Sequence, residues 1–260
     1  MSHVMGWQAP PENDQRAIRV PRGVLILAAT LLSIHFCVLL VSPALWQDIY
    51  LFAGLFPERF SGAMGSTLTG GWGHGIGTLV SYNFLHGSWE HVGMNVLWLV
   101  AFGAPIAKRM GSVRFFLLFL LSGMIGGLAE VLTSAPDNML VPIVGASAGV
   151  AGLLGGACRF AFSSAHRRAP WPSRLPLLGY VQTLKQPTAL AIIAVWLVIN
   201  LFAAVLGPSG LMSPDGLPVH VAWVAHLAGF MGGFFAIGLV DRPPLSLSGG
   251  VGRVDYGSWR

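Results

Sequence analysis

The sequence predicts an all-α membrane protein, a bundle of six transmembrane helices with both termini on the cytoplasmic side. Three observations carry this. Hydrophobic residues make up 54% of the chain and charged residues 10%, with a mean hydropathy of +0.67, a composition that does not describe a soluble fold. Six apolar stretches are long enough to cross a hydrocarbon core of about 30 Å at about 1.5 Å per residue. Fourteen of the 15 basic residues fall on one side of a six-span arrangement, with only Arg59 on the other, and that asymmetry marks cytoplasmic segments.

Residues 1–22 form a polar tail, rich in Pro, Asn, Asp and Gln, that ends in Arg16, Arg19 and Arg22. Its composition predicts disorder or a surface position. The membrane domain is expected over 23–240. Its first span, about 24–41, contains no Asp, Glu, Lys or Arg and is too long for a signal-peptide core. Residues 43–83 read as a long connection whose Trp46, Phe52, Phe56, Phe60 and Trp72 give it apolar faces, so it is expected to lie in the interface and pack on the bundle. Further spans are expected at about 89–106, 113–132 and 145–162. A basic loop with Arg167, Arg168, Arg174 and Lys185 follows, broken by Pro170, Pro172, Pro176 and Pro187. The last spans are about 188–206 and 219–240, joined by a loop at 207–219 whose Gly207, Pro208, Gly210, Pro214 and Gly216 predict mobility. Residues 241–260 form a flexible tail on the same side as the N-terminus.

The pI of about 9.8 does not point to nucleic acid, because the basic residues cluster beside apolar runs and act as topology signals. Cys37 and Cys158 lie within apolar runs without CxxC or Cys/His spacing, so free, buried thiols are expected, with no disulfide, metal or cofactor. A transporter is disfavoured by the lack of inverted-repeat symmetry and of intramembrane ion pairs. A soluble hydrolase elbow is disfavoured because no strand run precedes the serine motif.

That motif is Val-Gly-Ala-Ser-Ala-Gly at 144–149. Gly145, Ala148 and Gly149 leave the backbone around Ser147 nearly bare, and Ser147 sits at the N-terminus of its helix, where the dipole and free amides favour developing negative charge. Such seams usually serve helix packing. A serine needs a base to act as a nucleophile, and the only histidine in the last three spans is His226. It lies about seven residues, or ~10 Å, into its span from the same side, at a depth matching Ser147. Gly229 and Gly233 continue Ala225 into a small-xxx-small seam, and Gly145, Gly149, Gly152 and Gly156 offer a matching one. Asp and Glu are absent from both helices, which predicts a Ser/His dyad rather than a triad. His91 and Asn95, four residues apart on one helical face, suit an oxyanion together with the Ser147 backbone N–H. His86 is assigned to structure or bound water. His35 has no evident partner. Glu90 and Glu130 mark outer helix ends and are expected to be solvated.

Phe-Leu-His-Gly-Ser-Trp-Glu-His-Val-Gly-Met-Asn at 84–95, Ala-Lys-Arg-Met-Gly at 107–111, Gly-Ala-Ser at 145–147 and Ala-His-Leu-Ala-Gly at 225–229 resemble, in kind and order, the rhomboid intramembrane serine proteases, over roughly residues 24–240. The resemblance implies that Ser147 attacks, that His226 is base and then acid, and that His91 and Asn95 help hold the oxyanion. It implies single-span membrane proteins as substrates, cut in or near their membrane helix within the lipid bilayer, without metal, cofactor or nucleic acid. A bacterial inner (plasma) membrane location is expected; the oligomeric state is not specified. The alternative is a catalytically silent rhomboid-like protein that binds transmembrane helices. The chain departs from the family in carrying Ala148 where Gly is usual, in lacking the Trp-Arg pair before Tyr82, and in carrying Ala151 where many members stack an aromatic on the histidine. The group that orients His226 is thereby left unassigned.

Overall fold

The computed structural model describes residues 20–61, 71–162, 176–210 and 221–241, apart from the side chains of Asp137 and of residues 206–210. Expectations for the tail at 1–19, the basic loop at 163–175, the loop at 211–219 and the tail from 242 lie outside the described residues. Among the described residues the protein is all-helical, without strands, and a single antiparallel bridge joins Leu55 to Ile143. The helices are α1 (Arg22–Leu39), α2 (Pro43–Ala53), α3 (Gly71–Ser81), α4 (Trp89–Thr133), α5 (Ser147–Cys158), α6 (Tyr180–Leu184), α7 (Pro187–Gly210) and α8 (Trp223–Val240).

Among the described residues four helices are long and apolar enough to cross a membrane: α1, α4, α7 and α8. At 45 residues α4 is about twice the length needed for one crossing, and it is two helices joined at Gly111, whose φ of +81° and ψ of 168° only glycine adopts readily. The connection expected over 107–112 is therefore a single non-helical residue. The two arms run antiparallel. Gly156, near the end of α5, faces Ile106 of the first arm and Leu118 of the second, whereas at the start of α5 Gly145 meets His91 and Ala148 meets Gly126.

Twelve residues long, α5 is shorter than the span expected over 145–162. Gly145 takes a φ of +124° that no helix permits, so the helix opens at Ser147 itself. Every residue of α5 after Ser147 is buried, as an all-apolar helix without a polar face requires. What allows this is close backbone approach. A β-carbon at Gly229 or Gly233 of α8 would collide with the carbonyl of Ala148 or Gly152, and one at Gly155 with that of Phe230. The glycines of α5 do not all face one partner, as the spacing suggested. Gly155 faces α8, Gly149 and Gly156 face Phe119 and Leu118 of α4, and Gly152 stands between them, against Ser122 of α4 and the Gly229 carbonyl of α8, so α5 is clamped from both sides.

The remaining elements dress this core. One face of α1, Val24, Leu27, Leu31, His35 and Val38, is buried. Cys37 points away from that face and is exposed, contrary to expectation, because α1 packs on one side only; Cys158 is buried, and both are free. The described residues of the 43–83 connection hold two helices, α2 and α3. Ser42 caps α2 by accepting the Leu45 N–H at 3.3 Å. In α3, Gly75 packs against the Phe60 ring, so tertiary contact overrides the poor helix propensity of glycine. The buried Arg59 donates to the Leu51 carbonyl and lies 5.7 Å from the centre of the Phe56 ring. By contrast α7 is lightly held, with Val195, Val198, Leu201, Phe202 and Val205 among its many exposed apolar side chains.

Two poles result. At one, Gly23 of α1 meets Ser112 beside the α4 kink, Arg109 pairs with Asp241 at 2.8 Å, and Arg159 donates to the carbonyls of Leu178 and Phe234. At the other lie His35, the two ends of α4, and the starts of α5 and α8.

Candidate active site

The second pole gathers the residues the sequence singled out. Ser88 caps α4 by accepting the His91 N–H at 3.2 Å, which fixes the first turn and with it His91 and Asn95. A bridge between Leu55 and Ile143 and a hydrogen bond from the Gly145 N–H to the Tyr82 carbonyl at 3.0 Å hold the segment before Ser147. The positive φ of Gly145 turns that segment into α5, and a β-carbon there would stand 2.7 Å from His91 Nε2. His91 thus lies directly against the loop that presents Ser147.

The Ser147 Oγ and His226 Nε2 are 2.7 Å apart. Ser147 is the first residue of α5, and His226 lies in the first turn of α8, which begins at Trp223 rather than near Val219. The glycine contacts between these helices bring the two residues together.

Asn95, Ser147, Asn200 and His226 are the main polar groups of an otherwise apolar cavity of about 540 Å³, walled by Trp98 and Phe102 of α4 on one side and Trp196 of α7 on another. The Asn95 Nδ2 donates to the His91 carbonyl at 3.0 Å, leaving its second N–H for the cavity. Among the described residues no cluster of side chains suits a metal ion.

Of the neighbouring groups, Glu130 differs from expectation. Glu130 is buried rather than solvated, and its Oε2 accepts the Ala225 N–H at 2.8 Å; the second arm of α4 ends beside the start of α8, and the carboxylate satisfies an amide that α8 cannot pair itself. Glu90 is exposed, as expected. His86 is structural. In the turn before α4 its Nε2 accepts the Ala146 N–H at 3.3 Å, its carbonyl accepts from the buried Tyr50 hydroxyl, and burial, with His91 and His35 nearby, pushes its pKa down to about 3. Burial also pushes the Tyr50 phenol up to about 12, so it stays a donor. His35 is buried with its ring edge-on to Trp89 at 4.7 Å.

One site residue was missed. Asn200 of α7 is buried, and its Oδ1 stands 2.9 Å from His226 Nδ1. The signal was present: Asn200 is the one strongly polar side chain in the apolar stretch from Leu190 to Leu206, and a polar residue inside a membrane helix is costly enough to need a purpose.

Residues 73–242 match the Rhomboid domain. The chain belongs to the rhomboid family. It is 32% identical over 155 residues to the "Rhomboid protease GlpG" of Serratia proteamaculans (strain 568), which covers 58% of this chain and 44% of that protein. It is 40% identical over 78 residues to the "RHOMBOID-like protein 4" of Arabidopsis thaliana, covering 30% of this chain and 19% of that one. With "Rhomboid protein 1, mitochondrial" of Saccharomyces cerevisiae it shares 34% identity over 79 residues, 30% of this chain and 22% of that protein. The chain spans less than half the length of these curated relatives. As a rhomboid-family protein with apolar helices of membrane length, it is an integral, multi-pass membrane protein.

Proposed function

We propose that this rhomboid-family protein is an intramembrane serine endopeptidase that cuts membrane-anchored proteins in or near their transmembrane helix. The observation that carries the reading is the 2.7 Å contact between Ser147 Oγ and His226 Nε2 inside an apolar cavity. A serine and an imidazole at that separation are within reach for proton transfer.

In this reading Oγ attacks the carbonyl carbon of the scissile peptide as its proton passes to His226 Nε2. The negative charge that develops on the carbonyl oxygen meets the Ser147 N–H at the start of α5, the free N–H of Asn95, and His91. Collapse of the tetrahedral adduct breaks the C–N bond, and His226 returns the proton to the departing amine. Water, deprotonated by the same imidazole, then hydrolyses the acyl-enzyme. The cavity walls are largely apolar, and in this reading the space between α4 and α7 admits an extended peptide segment from the bilayer. Six crossings, with the pole bearing Arg109 and Arg159 on the cytoplasmic side of a bacterial plasma membrane, fit the basic-residue asymmetry.

The test is cleavage of a generic single-span substrate by purified protein in lipid, wild type beside Ser147→Ala and His226→Ala. Cleavage by the wild type with loss in both variants is expected, the base alone contributing about 10² to 10⁴ in rate. Substrate binding without cleavage by any of the three would favour a silent helix-binding protein.

A further inference from the structure

We propose that Asn200 is the positioning residue for His226, a third member supplied by α7 that fixes the imidazole tautomer. The inference deepens the proposed protease reading and rests on it for its kinetic part. Neither α5 nor α8 carries an acid to orient the imidazole, and Ala151, one turn after Ser147, lies in an apolar cluster with Leu154, Ile193 and Phe230 instead of stacking a ring on His226.

The amide of Asn200 has only one sensible orientation. Its Nδ2 donates to the Trp196 carbonyl at 2.9 Å; exchanging the oxygen and nitrogen would set two acceptors against each other. Oδ1 is therefore the atom 2.9 Å from His226 Nδ1. An amide oxygen only accepts, so Nδ1 must carry the proton. Nε2 is then left with its lone pair directed at Ser147 Oγ, 2.7 Å away, the state a general base requires. When His226 becomes an imidazolium, Oδ1 keeps the same N–H and the ring does not turn.

The placement of Asn200 adds a conformational condition. Trp196, one turn before it, stacks on Phe230 at 4.7 Å, one turn after His226. The antiparallel helices α7 and α8 therefore meet through two rungs, Asn200 with His226 and Trp196 with Phe230. Because α7 is otherwise lightly packed and borders the cavity, the tautomer is set only while α7 is docked on α8.

Two measurements decide this, one of them independent of turnover. Protein labelled with ¹⁵N-histidine, with His226→Ala to assign the signal, reports which ring nitrogen of His226 is protonated. The proton is expected on Nδ1 in the wild type, and a shift toward Nε2 in the near-isosteric Asn200→Leu. In cleavage assays Asn200→Leu is expected to lower kcat by about 10- to 10²-fold, a portion of the contribution of the base, with KM changed less than twofold. Asn200→Asp is expected to restore part of kcat and to move the acid limb of the pH–rate profile to higher pH, since a carboxylate at Nδ1 favours the charged ring. A wild-type proton on Nε2, or an Asn200→Leu variant with unchanged tautomer and unchanged kcat, would overturn the assignment. A wild type that cleaves nothing defeats the protease reading, while the tautomer still decides the role of Asn200.

Discussion

The carboxylate of Glu130 caps a helix that it does not belong to: its Oε2 accepts the backbone N–H of Ala225 at 2.8 Å, one residue before His226. No side chain of α8 caps its own N-terminus, and the site is buried, so this contact replaces water for an amide that would otherwise be stranded.

Removing that acceptor should cost more than removing its charge. Glu130→Ala strands the Ala225 N–H at an expected cost of about 1–3 kcal/mol and loosens the turn that carries His226. Glu130→Gln keeps an acceptor and gives up the charge's favourable interaction with the helix dipole, about 0.3–2 kcal/mol. Thermal unfolding in detergent micelles should rank wild type above Glu130→Gln above Glu130→Ala, with cleavage following the same order.

Gly145→Ala should damage the site more than the fold. Its φ of +124° strains any side chain, and the added carbon meets His91 Nε2 at 2.7 Å, together a penalty on the order of 1–3 kcal/mol. The relief available is movement of His91 or of the loop before Ser147. The rate of Ser147 labelling by a fluorophosphonate should fall well below wild type while the unfolding temperature changes modestly; wild-type labelling would show that this loop geometry does not govern the nucleophile.

His86 should make the fold acid-sensitive. Burial chiefly, then His91 and His35, hold its pKa at about 3 against an ordinary 6.5, so between those values the unfolded chain takes up a proton that the folded one refuses. The stabilisation is fully present above pH 6.5 and is lost as pH falls toward 3, at up to about 1.4 kcal/mol per unit. Unfolding temperatures measured from pH 7.5 to 4.5 should decline more steeply in the wild type than in His86→Gln, whose amide oxygen can still accept the Ala146 N–H. Parallel curves would place the acid sensitivity elsewhere.

At the opposite pole Arg109 holds Asp241 through two hydrogen bonds, Nε to Oδ1 at 3.0 Å and Nη2 to Oδ2 at 2.8 Å, with both side chains under 10% exposed. The guanidinium also lies 4.6 Å from the centre of the Phe160 ring. Breaking a buried pair leaves an uncompensated charge, so Arg109→Ala and Asp241→Ala should each cost roughly 3–5 kcal/mol. The double variant should cost clearly less than their sum, and a double-mutant cycle on unfolding measures the difference.

Hydropathy made the long helices legible, because a membrane span is specified by composition over many residues. The pairing of Ser147 with His226 was legible too, since depth along a helix follows from counting residues. Contacts from other helices were not. Glu130 looked like a solvated helix end because its partner amide is far off in sequence, and Asn200 escaped notice because nothing local ties it to His226. The start of the expected fourth span was placed too early for a different reason: hydropathy cannot see that Gly145 turns the chain before the helix begins. Helix α3 was not legible within the 43–83 connection, because what holds it is tertiary: Gly75 packs its bare backbone on the Phe60 ring.

The reversal of α4 at Gly111 makes one covalent hairpin a caliper for the whole site. One jaw ends at His91, against the loop that presents Ser147, and the other at Glu130, under the helix that presents His226. Both jaws are rigid helix, so a residue inserted or deleted anywhere along either arm would shift its tip by about 1.5 Å and rotate it by about 100°. Substitutions on the lipid-facing surface of these arms leave that gauge untouched. The number of residues between Trp89 and Thr133 is thus itself a determinant of the site, separate from what those residues are.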